Sequence, residues 1–128
     1  MNVLIDSYGW IEYFSEGPLA NKYAKHIESA TKKQFFTPTI VLYEVYKRIK
    51  KMKGEQNALI AHAHIIANTT TVPLTKKLSL EAAEISLSEG FGMADAIIKA
   101  SANLTQSIIV TSDKHFKGIK GVVFIAYI

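Results

Sequence analysis

The chain has 128 residues, of which 48% are hydrophobic, and it carries a formal net charge of +4 with a sequence pI of about 9.2. This composition is typical of one folded domain, here expected over residues 1–128, and the absence of cysteine excludes disulfides and thiolate zinc sites. Because the sequence shows neither a signal-peptide pattern nor an apolar run long enough to cross a bilayer, we expect a cytoplasmic protein without membrane contact.

The first part of the chain alternates short apolar segments with helical patterns. In chain order the predicted elements are a strand at 2–5, a turn at 6–9, a short helix at 10–14, a helix at 19–30 and a strand at 34–37. Thr37 and Pro38 then predict the N-cap and the first residue of a helix that ends near Met52, before Gly54. The expected apolar stripe of this helix is Val41, Val45, Ile49 and Met52.

The rest of the chain continues the alternation. The predicted elements are a helix at 55–68, a strand at 69–73, a helix capped by Thr75 that ends near 89, a helix at 93–105, and strands at 107–111 and 122–126. Short apolar strands that alternate with helices are typical of a parallel sheet with helices on both faces. We therefore predict an α/β fold, a three-layer α/β/α sandwich around a central, mostly parallel sheet of four to five short strands.

Every aspartate of the chain lies where one edge of that sheet is predicted. Asp6 follows the first strand and Asp113 follows the fourth, and parallel α/β folds bind ligands outside the carboxyl ends of their strands. Asp95 lies in the first turn of the helix that leads into the fourth strand, so its place at the same edge is an inference. Glu44 lies near the N-terminal end of its helix, which should also face this edge. We expect the four carboxylates to converge.

Each carboxylate also has a plainer interpretation. Asp6 and Asp113 could cap the helix and the turn that follow them, and Asp95 could be favoured by a helix dipole. Glu44 could form an i,i+4 ion pair with Arg48. The joint pattern favours a site, and converging carboxylates would repel one another unless a cation were bound. Oxygen donors without His or Cys indicate Mg²⁺ or Mn²⁺, ions that support metal-assisted phosphodiester hydrolysis.

The four segments that carry these acids resemble the PIN domain family and, within it, the VapC-like toxins of toxin–antitoxin pairs. The segments are VLIDSYGWIEYF with Asp6, TPTIVLYEVYKRI with Glu44, GMADAIIKASA with Asp95 and IIVTSDKHFKGI with Asp113. Their order and spacing fit over essentially the whole chain. The resemblance implies a PIN-like sandwich with the acids at the carboxyl edge of the sheet, and an endoribonuclease that depends on Mg²⁺ or Mn²⁺. It also implies a cognate antitoxin protein and, commonly, a homodimer.

The resemblance further implies roles for individual side chains. The catalytic and metal-binding residues that it implies are Asp6, Glu44, Asp95 and Asp113. Asp6 and Asp95 are expected to contact the metal directly, and the other two to complete the cluster directly or through water. The hydroxyls of Ser7 and Thr111 match family positions beside the acids, where they would orient ligands or water. The expected nucleophile is a metal-activated water, so the chemistry would not need a ribose 2′-OH.

Basic residues near the predicted site are candidate RNA contacts. They are Lys47, Arg48, Lys51, Lys114 and Lys117. The first three share the polar face of the Glu44 helix, where a solvated surface is the alternative, and the last two follow Asp113. A basic surplus favours a polyanionic partner such as RNA. Trp10 could stack on a base but is expected to pack in the core or at an interface, and His115 is close enough to the site to touch a phosphate.

Other classes with an aspartate after a strand fit less well. A response-regulator receiver needs adjacent acids there, and a DxD phosphatase needs an acid at position 8, but Asp6 is followed by Ser7 and Tyr8. No glycine-rich GK[ST] loop supports a P-loop nucleotidase. The remaining alternative is a PIN-fold module that binds RNA or a partner protein without cutting. Metal binding that requires Asp6 and Asp95 would distinguish an enzyme from such a module.

Overall fold

The computed structural model describes residues 1–127. Its elements in chain order are β1 (Asn2–Ile5), α1 (Ser7–Ser15), α2 (Ala20–Ser29), β2 (Phe35–Pro38), α3 (Thr39–Lys53), α4 (Glu55–Asn68), β3 (Thr70–Val72), α5 (Lys76–Glu89), α6 (Met93–Thr105), β4 (Ser107–Thr111) and β5 (Val122–Phe124). Short 3₁₀ turns lie at Lys32–Gln34 and Lys114–Phe116. Within residues 1–127, no helix combines the length and the apolar character needed to cross a membrane.

The five strands form one parallel sheet in the order β3-β2-β1-β4-β5. The chain builds outward from β1 through β2 to β3, and then crosses back to add β4 and β5 on the other side of β1. The strand order therefore reverses between β1 and β4, and such a switch point is where open parallel sheets bind ligands. The predicted α/β sandwich with a parallel sheet is confirmed, with five strands and six helices.

Apolar side chains at the centre of the sheet are fully buried. Leu4 and Ile5 of β1 and Val110 of β4 are fully buried, and Ile5 pairs in register with Val110. Trp10 of α1 is fully buried too, and its ring stacks on that of Phe35 with the centroids 5.4 Å apart. The expectation that Trp10 packs is therefore confirmed. Strands β1 and β4 thus form a rigid base for the residues that follow them.

Helix α1 begins earlier than predicted. The turn predicted at 6–9 is wrong, because α1 starts at Ser7. Asp6 is its N-cap, and the Gly9 N–H donates to Asp6 Oδ1 at 2.8 Å. The capping interpretation of Asp6 is therefore confirmed. Asp113 likewise caps the 3₁₀ turn after β4, since its Oδ1 accepts a hydrogen bond from the His115 N–H at 2.9 Å.

Helix α3 begins later than predicted. Its first residue is Thr39, and Pro38 is both its N-cap and the last residue of β2. Thr37 is fully buried, and its hydroxyl oxygen lies 2.8 Å from that of Thr69. The N-cap role predicted for Thr37 is therefore wrong, because its side chain makes a buried hydrogen bond beside the sheet instead.

The apolar stripe of α3 is also shorter than predicted. Val41, Val45 and Ile49 are buried, but Met52 is 49% exposed and contacts the Arg48 side chain, with Nε 3.3 Å from Sδ. The last turn of α3 carries mostly lysines that are exposed, so it extends beyond the core. The placement of Met52 in the stripe is therefore wrong.

Gly9 lets the ring of Tyr23 approach helix α1. A Cβ at this position would lie 2.4 Å from Cε1 of Tyr23 and 2.7 Å from Cγ2 of Ile5. We therefore expect Gly9→Ala to lower the free energy of unfolding by roughly 1–3 kcal/mol, as measured by urea denaturation. The control is Gln56→Ala, since Gln56 is exposed on α4. Equal effects of the two substitutions would contradict the close packing at Gly9.

Candidate active site

A pocket of about 410 Å³ lies beyond the carboxyl ends of β1 and β4. All four acids singled out in the sequence line it, although they come from four separate segments. Asp6 follows β1, Glu44 lies in the second turn of α3, Asp95 in the first turn of α6, and Asp113 shortly after β4. The fold therefore brings these carboxylates together at the switch point of the sheet.

Asp6 is the most deeply placed of the four, with 5% exposure. Its Oδ1 accepts the Gly9 N–H, and its Oδ2 accepts the Thr111 hydroxyl at 2.5 Å. Burial raises the pKa of Asp6 to about 6, these hydrogen bonds lower it in part, and the charge of Asp113 adds to the rise. The Asp6 carboxylate is thus held in one orientation in surroundings that disfavour its charge unless a cation is near.

The two hydroxyl residues predicted beside the acids each contact at least one. Thr111 is fully buried, and its oxygen accepts the Asp113 N–H at 3.0 Å while its hydroxyl donates to Asp6. It therefore connects the acid after β1 with the acid after β4. Ser7 donates its hydroxyl to Oε1 of Glu44, which orients the α3 acid toward the start of α1.

Asp95 and Asp113, which line the pocket, form a compact group with His115. Nδ1 of His115 lies 3.3 Å from Oδ2 of Asp95 and 3.0 Å from Oδ1 of Asp113, and one ligand atom from each residue lies within 4.8 Å of the others. Burial, and then the charge of Asp113, raise the pKa of Asp95 to about 6, while His115 opposes the rise. This group could hold a metal ion.

An aromatic contact joins the segment just before Asp95 to the segment that follows Asp113. Phe91, in the loop before α6, is buried and stacks on Phe116 with the ring centroids 4.9 Å apart. Phe116 belongs to the same 3₁₀ turn as His115. The stack therefore fixes the start of α6 against the segment that carries Asp113. Local sequence did not predict this contact.

Three tyrosines complete the site, and sequence reasoning did not assign any of them. Tyr8 and Tyr127 line the pocket, and a hydrogen bond joins their hydroxyl oxygens, which are 2.8 Å apart. This hydrogen bond is the main cause that raises the pKa of Tyr8 to about 12. Tyr23 is buried, donates to Oγ of Ser112 at 2.9 Å and accepts the Ser112 N–H at 2.7 Å. It thereby positions the residue that precedes Asp113.

The candidate RNA contacts lie in two different places. Lys114 and Lys117 are exposed but do not line the carboxylate pocket. Lys47, Arg48 and Lys51 line a neighbouring groove. The structure therefore brings only the α3 residues into a concave surface, and the use of any of the five in RNA binding stays a prediction.

The donor set of the pocket fits a hard divalent cation. All four acids line the pocket and offer oxygen atoms, which are the ligands that such a cation prefers. The raised pKa values of Asp6 and Asp95 show that their negative charges are disfavoured, and a bound cation would reverse that effect. His115 adds an imidazole nitrogen, which suits Mn²⁺ better than Mg²⁺.

Comparison with known families identifies the class of protein that this fold and site define. The sequence profile of the PIN domain matches residues 3–122. The chain therefore belongs to the PIN domain family, as its motifs predicted. A comparison with curated proteins found no significant match.

Solved structures with this fold include proteins of toxin–antitoxin systems. A toxin–antitoxin complex from Klebsiella pneumoniae has a TM-score of 0.78 at 24% identity, with 95% of this chain and 96% of that chain covered. VapC20 of Mycobacterium tuberculosis, a toxin that cleaves the sarcin–ricin loop, has a TM-score of 0.79 at 16% identity, with 97% of each chain covered. FitAcB from Neisseria gonorrhoeae has a TM-score of 0.69 at 16% identity, with 96% of each chain covered. These similarities confirm the predicted PIN-like sandwich.

The buried charge of Asp6 should make the metal-free protein less stable as the pH rises. The pKa of Asp6 is about 6 in the folded state against an ordinary 3.8, so the folded state holds this proton more tightly than the unfolded state. The stabilisation that this tighter proton binding gives to the folded state is complete below about pH 4 and is lost as the pH rises through 6. We expect Asp6→Asn, which keeps a capping oxygen, to gain roughly 2–3 kcal/mol relative to wild type between pH 4 and pH 7.

Urea denaturation in EDTA at a series of pH values measures this difference. Glu81→Gln, which removes an exposed carboxylate on α5, is the matched control and should show no such gain. A constant stability difference between Asp6→Asn and wild type over this pH range would show that the Asp6 carboxyl titrates normally.

Proposed function

We propose that this PIN domain protein is a Mg²⁺- or Mn²⁺-dependent endoribonuclease, and that it is the toxin of a type II toxin–antitoxin pair. The observation that carries the proposal is the convergence of Asp6, Glu44, Asp95 and Asp113 on one open pocket at the switch point of the sheet. Membership of the PIN domain family and the similarity of the fold to toxins support it.

In the proposed site, Asp6 and Asp95 contact the cation directly, and Glu44 and Asp113 complete the cluster directly or through water. A bound divalent cation would lower the pKa of a water molecule and offset the charge on the leaving 3′ oxygen. The protein's own contribution is preorganisation. Two hydrogen bonds hold the Asp6 carboxylate, and the hydroxyl of Ser7 holds that of Glu44, so the ligand oxygens need little rearrangement to bind.

Water is the proposed nucleophile, so the expected products carry 5′-phosphate and 3′-hydroxyl ends. A ribose 2′-OH would not take part in the chemistry, and a preference for RNA would come from binding. The proposal includes a cognate antitoxin, a homodimer and a cytoplasmic location, where RNA is available to the enzyme. The antitoxin in this proposal is supported by the presence of toxin–antitoxin complexes among the structures with the same fold.

Cleavage of RNA should require both the metal and the Asp95 carboxylate. We expect the purified protein, free of partners, to cut structured RNA in Mg²⁺ or Mn²⁺ and not in EDTA. Asp95→Asn, which keeps the shape of the side chain but removes its charge, should cut at least about 100-fold more slowly. Gel analysis of labelled RNA measures the rate, and end-specific enzymes identify the 5′-phosphate.

Glu84→Gln is the control for this experiment, because it removes an exposed charge on α5, outside the pocket residues. Equal cleavage by wild type and Asp95→Asn would show that a contaminant or another site is active. Binding of RNA without cleavage by either protein would favour a PIN-fold binding module instead.

His115 should strengthen Mn²⁺ binding more than Mg²⁺ binding. Its Nδ1 lies close to both Asp95 and Asp113, and imidazole is a better ligand for Mn²⁺. We expect His115→Gln to weaken Mn²⁺ binding by about tenfold, a loss of the size seen for residues that support metal ligands, and to change Mg²⁺ binding much less. Titration calorimetry measures both, with the exposed His62→Gln as the control. An equal loss for the two ions would show that His115 supports the site without the preference for Mn²⁺ that an imidazole ligand gives.

A further inference from the structure

A second concave surface, here called the α1–α3 groove, continues directly from the carboxylate pocket. It has a volume of about 430 Å³ and shares Ser7, Tyr8 and Glu44 with the pocket. Its remaining lining residues are Ile11, Tyr43, Lys47, Arg48 and Lys51. The two surfaces therefore meet at these three residues, one of which is a proposed catalytic acid.

The basic side chains of the groove are not neutralised by the protein. Within residues 1–127, Lys47, Arg48 and Lys51 form no ion pair. The i,i+4 pair between Glu44 and Arg48 that the sequence allowed does not form there, because Glu44 accepts the Ser7 hydroxyl instead. The groove therefore presents three exposed cations beside a cluster of acids, which is suited to a polyanion whose phosphate reaches a metal.

Two aromatic rings are exposed in the same groove. Tyr43 is 59% exposed and Tyr8 is 37% exposed, although both are large side chains in a protein with an extensive buried core. Lys47 Nζ lies 5.5 Å from the centroid of the Tyr43 ring, which combines a cation and a ring surface in one unit. Exposed rings next to cations are the arrangement that proteins use to bind single-stranded nucleic acids.

We infer that the α1–α3 groove binds single-stranded RNA and leads it into the carboxylate pocket, with a base stacked on Tyr43 and the phosphates beside Arg48 and Lys51. A duplex does not fit this arrangement, because its base faces are already stacked on each other. The inference rests on the proposed function, because only that function makes the bound RNA a substrate. It adds the route that the substrate takes and a ring that binds it.

Binding to a single-stranded RNA pool of random sequence, about 20 nucleotides long, tests the inference. Fluorescence anisotropy in EDTA measures binding without cleavage, and a duplex of the same length is the comparison. We expect the single strand to bind at least about tenfold more tightly than the duplex. Equal affinity for the two, or no binding of the pool, would overturn the inference, since the groove has features that tolerate any base.

Charge variants test the route along α3. Arg48→Gln and Lys51→Gln should each lower the slope of log affinity against log salt by about 0.7, the value for one phosphate contact to a single strand. The matched control is Lys50→Gln, which makes the same charge change on the same helix. Lys50 lies outside the groove and pairs with Glu55 at 3.4 Å. A slope change of equal size in Lys50→Gln would show that only net charge matters and would overturn the route.

Ring variants test stacking. Tyr43→Leu should weaken binding of the single strand by roughly 5- to 100-fold, whereas Tyr43→Phe, which keeps the ring, should bind like wild type. Quenching of 2-aminopurine in the RNA should be present with wild type and with Tyr43→Phe and be lost with Tyr43→Leu. Unchanged affinity and quenching in Tyr43→Leu would overturn the role of this ring.

The same variants separate the failure of this inference from the failure of the proposed function. If wild type cuts no RNA but the groove variants weaken binding as expected, the nuclease proposal fails and the groove assignment stands. If wild type cuts RNA and Tyr43→Leu and Arg48→Gln cut at the wild-type rate, the nuclease proposal stands and the groove assignment fails.

Discussion

The parallel pairing of β1 with β4 is the constraint on which the rest of the structure depends. Ile5 pairs with Val110, and the next N–H along, that of Asp6, donates to the Val110 carbonyl at 3.3 Å. This register places the Thr111 hydroxyl on the Asp6 carboxylate and brings Asp113 to the same edge. A slip of one residue would turn Thr111 to the other face of the sheet, so the buried apolar side chains that specify the register also specify the geometry of the acids.

One side chain can both cap an element of the fold and line the carboxylate pocket. Asp6 caps α1 through the Gly9 N–H and lines the carboxylate pocket, and Asp113 caps a 3₁₀ turn and lines the same pocket. The capping hydrogen bonds hold each carboxylate in place, but burial and the repulsion between the acids still raise the pKa of Asp6. The capping interpretation and the proposed functional interpretation of these residues are therefore compatible.

Charge is divided across the surface around the switch point. The acids that follow β1 and β4 meet the acid of α6 in the pocket. The exposed cations of α3 line the groove that adjoins it. The only acid that the two surfaces share is Glu44, and the Ser7 hydroxyl orients it. In the proposed nuclease, this arrangement lets negative oxygens bind a cation while neighbouring cations bind the phosphates of the substrate. A net charge of +4 alone could not have predicted that division.

The sequence by itself determined most elements and the parallel α/β class, because apolar periodicity and capping residues act over a few positions. It also singled out the four acids that line the pocket, because strand ends share one edge of a parallel sheet. One of its errors has a distant cause, because the Thr37 hydroxyl accepts a hydrogen bond from the Thr69 hydroxyl and does not cap α3. Only the tertiary structure decided that Phe91 stacks on Phe116 and so brings Asp95 to Asp113, and that Tyr127 closes the pocket beside Tyr8. These contacts join segments far apart in the chain, and no local pattern encodes them because each depends on how the whole core packs.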